Sequence, residues 1–252
     1  RSEILEQWND GPNGVSIGPD GGCYVARRGN RGGPPRNPPP TDPVIHGSLS
    51  RVDLATKEVK VIYRQADGQD LGQLDDLVFD EWGDVWITDL SGGLYWARTD
   101  GTAIRKIADN LVRPNGIGLS PDHRTLYVSL TDSRQLLAYP ITGRGTAGPM
   151  RVLSTLDHKD MHYDSLAVEA DGSVLVCAVG EGFARFAPDG KLLEMIAIKD
   201  FWPVNMSFGG PDMRTLYASG YPAGQKPGTQ DGQVVSMRWP RPGLKMLYRQ
   251  YA

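Results

Sequence analysis

Residues 114–130 read PNGIGLSPDHRTLYVSL, and the pattern in this stretch recurs along the chain. An Asn or Asp residue opens an apolar run, a turn of Gly, Pro and Asp residues follows, and a second apolar run starts 11 or 12 residues after the first residue. We call this first residue the opener of its module, and the five openers are Asn13, Asp75, Asn115, Asp164 and Asn205. Successive openers are 40 to 62 residues apart. Short strands repeated at such a period are typical of a β-propeller.

The shared register of the openers matters for function. In a propeller, equivalent positions of successive blades are stacked around one central channel. Five polar side chains that lie far apart in the sequence are therefore expected to converge there.

The composition agrees with one large all-β domain that spans residues 1–252. Thirty-one Gly and 19 Pro residues suit a fold with many turns. A formal net charge of −3 gives no general attraction to nucleic acid or to an anionic membrane. No apolar run approaches the roughly 18 residues of a membrane span. We expect a cytoplasmic protein that acts on a small molecule, with no nucleic-acid or membrane partner, and the sequence leaves the oligomeric state open.

The cysteines and the first residue bear on the cellular compartment. Cys23 and Cys177 fall in the second apolar runs of the first and fourth modules. Because these positions are well apart in a propeller, we expect two buried, reduced thiols and no disulfide. The chain begins at Arg1 rather than Met, which leaves a removed signal peptide open.

Each module is predicted to form four antiparallel strands. In the second module they are expected at residues 76–79, 84–88, 93–98 and 103–107, and Thr99-Asp100-Gly101 is a strong hairpin signal. No amphipathic helix of ten or more residues is predicted. Residues 15–63 and 206–248 are each long enough for four strands, so the chain is predicted to contain five complete four-stranded modules.

The N-terminal segment does not fit a whole number of modules. Residues 3–8 resemble one more fourth strand, but no first three strands precede them. Either about 40 further residues, one module by the repeat period, lie upstream, or the segment pairs elsewhere.

Strand alternation assigns the loops to the two ends of the sheets. The loop after a second strand returns to the opener's end, as does the link between modules. The insertion at residues 27–46, which is rich in Gly and Pro, follows a second strand and is predicted to lie at that end, either as a flexible surface loop or as a lid over the channel. Residues 157–163 and 221–231 are expected to border the same opening.

The residue types at the openers suggest a metal site. Asn and Asp oxygens, with no Cys or His at the same register, suit a hard cation such as Ca²⁺, Mg²⁺ or Mn²⁺. Two carboxylates, from Asp75 and Asp164, balance a divalent charge. A single Asx residue at a strand start more often satisfies local backbone groups. Five at one register, in a fold with a channel, favour a shared site.

The sequence also resembles a known family. Three stretches carry the resemblance: Pro114-Asn115-Gly116-Ile117 with SPD and TLYV behind it, YDSLAV at residues 163–168, and Asn205 ahead of FGG at residues 208–210. They are similar to the senescence marker protein/gluconolactonase/luciferin-regenerating family, which includes regucalcin. The resemblance covers essentially residues 9–243. It implies a six-bladed propeller whose channel holds one divalent cation, with Ca²⁺ as the first choice and Mg²⁺, Mn²⁺ or Zn²⁺ as alternatives.

The resemblance implies roles for the openers. Asn115 and Asp164 match metal-binding positions of the family, and Asp164 also matches its catalytic acid/base. Asp75 stands where the family usually has Asn, and we assign it to the metal site as a third ligand. Asn13 and Asn205 match positions that face substrate. The family's metal-binding Glu, in a Glu-Gly-Pro run, has no counterpart in this sequence.

Two further residues are candidates for substrate contact. His162 lies two residues before Asp164, and Trp202, next to Phe201, lies just before Asn205. Together with the openers they predict a metal-dependent hydrolase of small lactones, in which the metal polarises the carbonyl and a carboxylate assists attack by water. The alternatives are another hydrolysis at the same metal, such as phosphotriester cleavage, and a non-catalytic propeller scaffold for protein interaction.

Overall fold

The computed structural model describes residues 11–30, 45–224 and 232–248, and the regular elements in them are β-strands. None of the described residues forms a helix long and apolar enough to cross a bilayer. The described residues up to Leu111, with Leu247 and Tyr248, form one compact unit, and Val112–Met246 form a second. The segment at residues 3–8 lies outside the described residues.

The first unit contains two four-stranded antiparallel sheets. The first sheet runs β1 (Pro12–Ile17), β2 (Cys23–Arg27), β3 (Ser48–Val52) and β4 (Val59–Tyr63). A small hairpin follows, made of β5 (Gln65–Ala66) and β6 (Gln69–Asp70). The second sheet runs β7 (Leu74–Phe79), β8 (Val85–Asp89), β9 (Gly93–Ala97) and β10 (Ile104–Ala108), within one or two residues of the predicted strands. Strand β1 packs against β7.

The second unit contains three antiparallel sheets. The third sheet consists of β11 (Pro114–Leu119), β12 (Thr125–Leu130), β13 (Gln135–Gly143), β14 (Thr146–Ala147) and β15 (Arg151–Thr155). The fourth sheet consists of β16 (His162–Val168), β17 (Val174–Val179), β18 (Gly182–Phe186) and β19 (Leu192–Ala197). The fifth sheet consists of β20 (Phe201–Gly209), β21 (Thr215–Pro222) and β22 (Gln233–Arg238). Strand β16 packs against both β11 and β20.

Burial follows the position of a strand within its sheet. Every residue of β8, β17 and β18 is buried, whereas the last strand β19 is largely exposed. Middle strands are covered on both faces, so they read as continuous apolar runs. Cys23 and Cys177 are both buried, as predicted.

The fifth sheet departs from the prediction. Its described strands number three, and the described residues 239–248 do not add a fourth. Residues 242–244 run along the fourth sheet instead, where Gly243 forms an isolated bridge with Glu169 and the amide of Leu244 donates to the carbonyl of Val168 at 2.8 Å. Glu169 also holds the start of this segment, because its buried carboxylate accepts a 2.6 Å hydrogen bond from the indole of Trp239.

Candidate active site

Four of the five openers lie in β-bulges. The pairing of the first strand with the second shifts register between Pro12 and Val15, Leu74 and Leu77, Pro114 and Ile117, and Tyr163 and Leu166. Each shift encloses the opener and the residue after it. A bulge bends its strand and re-aims a side chain, so the same local irregularity presents Asn13, Asp75, Asn115 and Asp164. In β20 the shift comes one residue earlier, and Asn205 is itself paired with Ser219.

In the second unit, the openers Asn115 and Asp164 are neighbours. A Cβ atom placed on Gly116 would lie 2.6 Å from the Cα of Ser165, so the two bulges touch through their backbones. Ser129 Oγ on β12 donates a 2.6 Å hydrogen bond to the carbonyl oxygen of Asp164. The backbones of the third and fourth sheets therefore meet at the positions of the two openers.

The side chain of Asn115 is held in one orientation. It is only 4% exposed, and its Nδ2 donates to Thr131 Oγ1 at 3.2 Å. Because nitrogen and oxygen diverge in a planar amide, this contact turns Oδ1 away from Thr131. Asp164 is partly exposed. Thr131, the residue after β12, is a site residue that the sequence did not reveal.

His162 begins β16 and is half-buried near two charged residues. Burial lowers the pKa of His162, and the charge of Arg113 lowers it further, while that of Asp132 opposes this. Arg113 and Asp132 face each other at 3.6 Å. The imidazole is therefore neutral at pH 7 and is available to accept or donate a hydrogen bond.

Trp202 and Asn205 lie on β20 in the same unit. The Oδ1 of Asn205 accepts a 2.7 Å hydrogen bond from the amide of Met206. Trp202 is paired across the ladder with Tyr221. Burial raises the pKa of Tyr221, and the negative charge of Asp164 raises it further, so this phenol lies within electrostatic reach of the carboxylate. Sequence analysis placed Tyr221 only in a bordering loop.

In the first unit, Asp75 is bound by two side chains. It is 2% exposed, and its Oδ1 accepts hydrogen bonds from the Nε and Nη2 of Arg28, the first at 3.1 Å. The same oxygen accepts a 2.5 Å hydrogen bond from Asn13 Nδ2, which also donates to the carbonyl of Asp75 at 3.1 Å. Asn13 and Asp75 are thus brought together as the shared register predicts, and Arg28 is an unforeseen member of the cluster.

Arg28 occupies a recurrent structural position. Its amide donates to the carbonyl of Gly11, two residues before the opener. The amides of Leu90 and Thr131, each also following a second strand, make the same contact in their own sheets. The residue directly after a second strand therefore lies beside the openers, and this offset of 15 or 16 residues is a signal that sequence analysis did not use.

The predicted metal site is only partly matched by these two clusters. Asn115 and Asp164 present the amide and carboxylate oxygens that a hard cation prefers. Among the described residues, no group of three or more His, Cys, Asp and Glu side chains gathers in a metal-binding arrangement. The negative charge of Asp75 is matched by Arg28.

The stem of the predicted lid lies at the expected end of the first sheet. Pro12, beside the opener Asn13, pairs with Arg27 at the end of β2, and Asn30 and Ile45 join through two hydrogen bonds of 2.8 and 2.9 Å. Residues 31–44 and 225–231, which contain the rest of two predicted loops, lie outside the described residues. In the link at residues 157–163, His158 contacts Glu181 in the turn after β17 at 3.4 Å, again at the opener's end.

The fold and the bulged openers define a class of all-β protein built from repeated antiparallel sheets of three to five described strands. A family model described as "SMP-30/Gluconolactonase/LRE-like region" matches residues 5–220. The chain belongs to this family, and the predicted β-propeller fold class is confirmed.

Individual proteins and solved structures are also similar to this chain. The gluconolactonase of Zymomonas mobilis is 27% identical over 234 residues, which cover 83% of this chain and 60% of that protein. The chain thus spans about three fifths of the length of this curated relative. A gluconolactonase structure from Xanthomonas campestris has a TM-score of 0.71 at 23% identity, over 87% of this chain and 72% of its own. A calcium-binding protein, regucalcin from Agrobacterium tumefaciens, has a TM-score of 0.53 at 17% identity, over 98% of this chain and 97% of its own.

Proposed function

We propose that the protein is a hydrolase that opens small lactones, such as sugar lactones. Family membership and the gluconolactonase of Zymomonas mobilis support this activity. The observation that carries the proposal is the contact between the bulges of Asn115 and Asp164, because it sets a fixed amide beside a partly exposed carboxylate.

In this proposal Asp164 is the general base. Its carboxylate takes a proton from the water that attacks the ester carbonyl, and it returns the proton to the leaving alkoxide when the ring opens. Ser129 donates the 2.6 Å hydrogen bond to the backbone carbonyl of Asp164. This contact fixes the backbone position from which the carboxylate extends. The neutral imidazole of His162, the indole of Trp202 and the amide of Asn205, all in the same unit as Asp164, are assigned to substrate contact.

The proposal includes one divalent cation, with Ca²⁺ as the first choice. Asn115 and Asp164 are the residues that would hold it, and both offer hard oxygen donors. The calcium-binding regucalcin among the structural neighbours supports this choice of ion. When bound, a divalent cation supplies Lewis acidity toward the ester carbonyl. Thr131 keeps the amide oxygen of Asn115 turned toward that role.

A substrate panel tests the proposed activity. Proton release is measured at constant pH for D-glucono-δ-lactone, γ-butyrolactone, δ-valerolactone and a phosphotriester, each with added Ca²⁺ and with EDTA. We expect turnover of the lactones, strongest for the hydroxylated one, and loss of turnover in EDTA. Absence of lactone turnover under all conditions, or cleavage of the phosphotriester alone, would contradict the proposal.

A further inference from the structure

The guanidinium of Arg28 is bound along only one of its edges. Its Nε and Nη2 both donate to Asp75 Oδ1, which uses the side edge of the planar group. Among the described residues, the hydrogen bonds of this side chain use no other nitrogen. The end edge, formed by Nη1 and Nη2, donates no second hydrogen bond to the described residues, and the side chain is 31% exposed.

A structural arginine in the same protein is bound differently. Arg185 is 10% exposed and uses Nε for Glu169, Nη2 for Asp171 and Ser173, and Nη1 toward Glu194 at 3.9 Å. All of its nitrogens are directed at the protein. Arg28 is anchored by a buried carboxylate but keeps a two-donor edge exposed, which is the arrangement that binds a carboxylate in a bidentate way.

Asn13 adds an acceptor next to this edge. Its Nδ2 is committed to Asp75, which directs the amide oxygen away from that residue. Asn13 is exposed. The outward face of the cluster thus combines the donors of Arg28 with an acceptor oxygen, a set that matches a carboxylate flanked by hydroxyl groups.

We infer that Arg28, held by Asp75 and beside Asn13, forms a binding site for a polyhydroxy carboxylic acid, the chemical class of the product of sugar-lactone opening. Asp75 then acts as the positioning carboxylate of Arg28 and not as a metal ligand. A cation placed on Asp75 would lie next to a guanidinium and be repelled by it. The identification of the acid as a product rests on the proposed function, whereas the site itself rests on the geometry of the cluster.

Calorimetric titration with D-gluconate tests the inference without turnover. The wild type is compared with Arg28→Lys, which keeps the charge and loses the fork, and with the double variant Arg28→Gln/Asp75→Asn, which removes both charges and so avoids a lone buried carboxylate. Arg51→Lys is the matched control, because Arg51 pairs with Asp20 in the same sheet and is 24% exposed. Sorbitol, which lacks the carboxylate, is the second probe.

We expect gluconate to bind the wild type and to bind Arg28→Lys about tenfold more weakly, with a further loss in the double variant. The affinity of Arg51→Lys should stay within about twofold of the wild type, and sorbitol affinity should not depend on Arg28. Gluconate affinity that is the same in all variants, or no gluconate binding to the wild type, would overturn the inference. If the wild type turns over lactones but gluconate binds equally well to the wild type and the Arg28 variants, only this binding site is rejected. Arg28-dependent binding without turnover would reject only the proposed activity.

Discussion

The hydroxyl of Ser129 in the third sheet donates a 2.6 Å hydrogen bond to the backbone carbonyl of Asp164 in the fourth. Ser129 is fully buried. The buried hydroxyl of Ser129 therefore links β12, the strand after the one that carries Asn115, to the backbone of Asp164, the proposed catalytic residue. We expect the relative position of Asn115 and Asp164 to depend on this hydrogen bond.

Replacing Ser129 with Ala should lower both stability and turnover. The loss of the donor should reduce the free energy of unfolding by about 1–3 kcal/mol, which lowers the melting temperature by roughly 2–4 °C for each kcal/mol. Thermal melts and lactone kinetics of Ser129→Ala are compared with Ser133→Ala, which removes a partly buried hydroxyl from the turn after β12. Equal melting temperatures for the two variants would count against the role of this hydrogen bond.

Gly116 should tolerate no side chain, because a Cβ would lie 2.4 Å from the amide nitrogen of Leu166 and 2.6 Å from Ser165. We expect Gly116→Ala to push the bulges apart, to cost about 1–3 kcal/mol and to reduce kcat. Gly143→Ala in the same sheet is the control, since its Cβ would meet nothing within 4 Å. If both variants retain full activity and stability, the contact between the bulges is not important.

Glu169 should be essential for docking the segment at residues 239–244. It is 0% exposed and accepts hydrogen bonds from Arg185 Nε at 2.6 Å, Trp239 Nε1 at 2.6 Å and Arg241 Nε at 3.1 Å. Glu169→Gln removes the buried charge partner of Arg185 and leaves that guanidinium only the more exposed Asp171 and Glu194, so we expect a loss of about 3 kcal/mol in urea unfolding. Glu194→Gln, at a carboxylate that also pairs with Arg241 but is 43% exposed, should cost about 1 kcal/mol or less. Similar losses in both would argue against a special role for the buried carboxylate.

The repeated pattern was sufficient to predict the strands and the fold class. The alternation around Trp86 and the TDG turn placed the second sheet within one or two residues, because local turn chemistry and burial act in the same direction there. The course of the described residues 239–244, which do not add a fourth strand to the last sheet, could not be predicted in this way. It involves a long-range contact, in which the buried Glu169 binds Trp239, 70 residues away.

The positions of the openers could be predicted from the sequence, whereas their roles stay predictions. The shared register led to the bulges that hold Asn13, Asp75, Asn115 and Asp164. Arg28 was missed because a lone arginine after a strand reads as a solvated surface residue, and only the fold brings it onto Asp75, 47 residues away. The ion pair of Asp75 thus depends on Arg28, a residue distant in the sequence, and not on the sequence pattern around Asp75.

The acid–base behaviour of Asp80 gives a prediction about pH. Burial raises the pKa of Asp80, although the amide of Asp84 and the indole of Trp86 donate hydrogen bonds to it and oppose the shift. The folded pKa therefore lies above the unfolded value of about 3.9, so the folded state binds this proton first as the pH falls. The free energy of unfolding of the wild type, relative to that of Asp80→Asn, should therefore increase as the pH is lowered from 7 to 4. Urea titrations at each pH measure this difference, and one that is constant or that decreases would show that the shift has the opposite sign or is absent.

The central claim is that Asp164 is the general base, and one comparison tests it most directly. Asp164→Asn keeps an oxygen ligand of nearly the same shape but removes the proton acceptor. Asp189→Asn is the matched control, since Asp189 is exposed in the turn after β18, at the other end of the same sheet. Metal content by elemental analysis and turnover of D-glucono-δ-lactone at saturating metal are measured for both. We predict that Asp164→Asn retains metal and loses turnover by a factor on the order of 10² or more, while Asp189→Asn matches the wild type. An Asp164→Asn protein that turns over lactone at the wild-type rate would contradict the account.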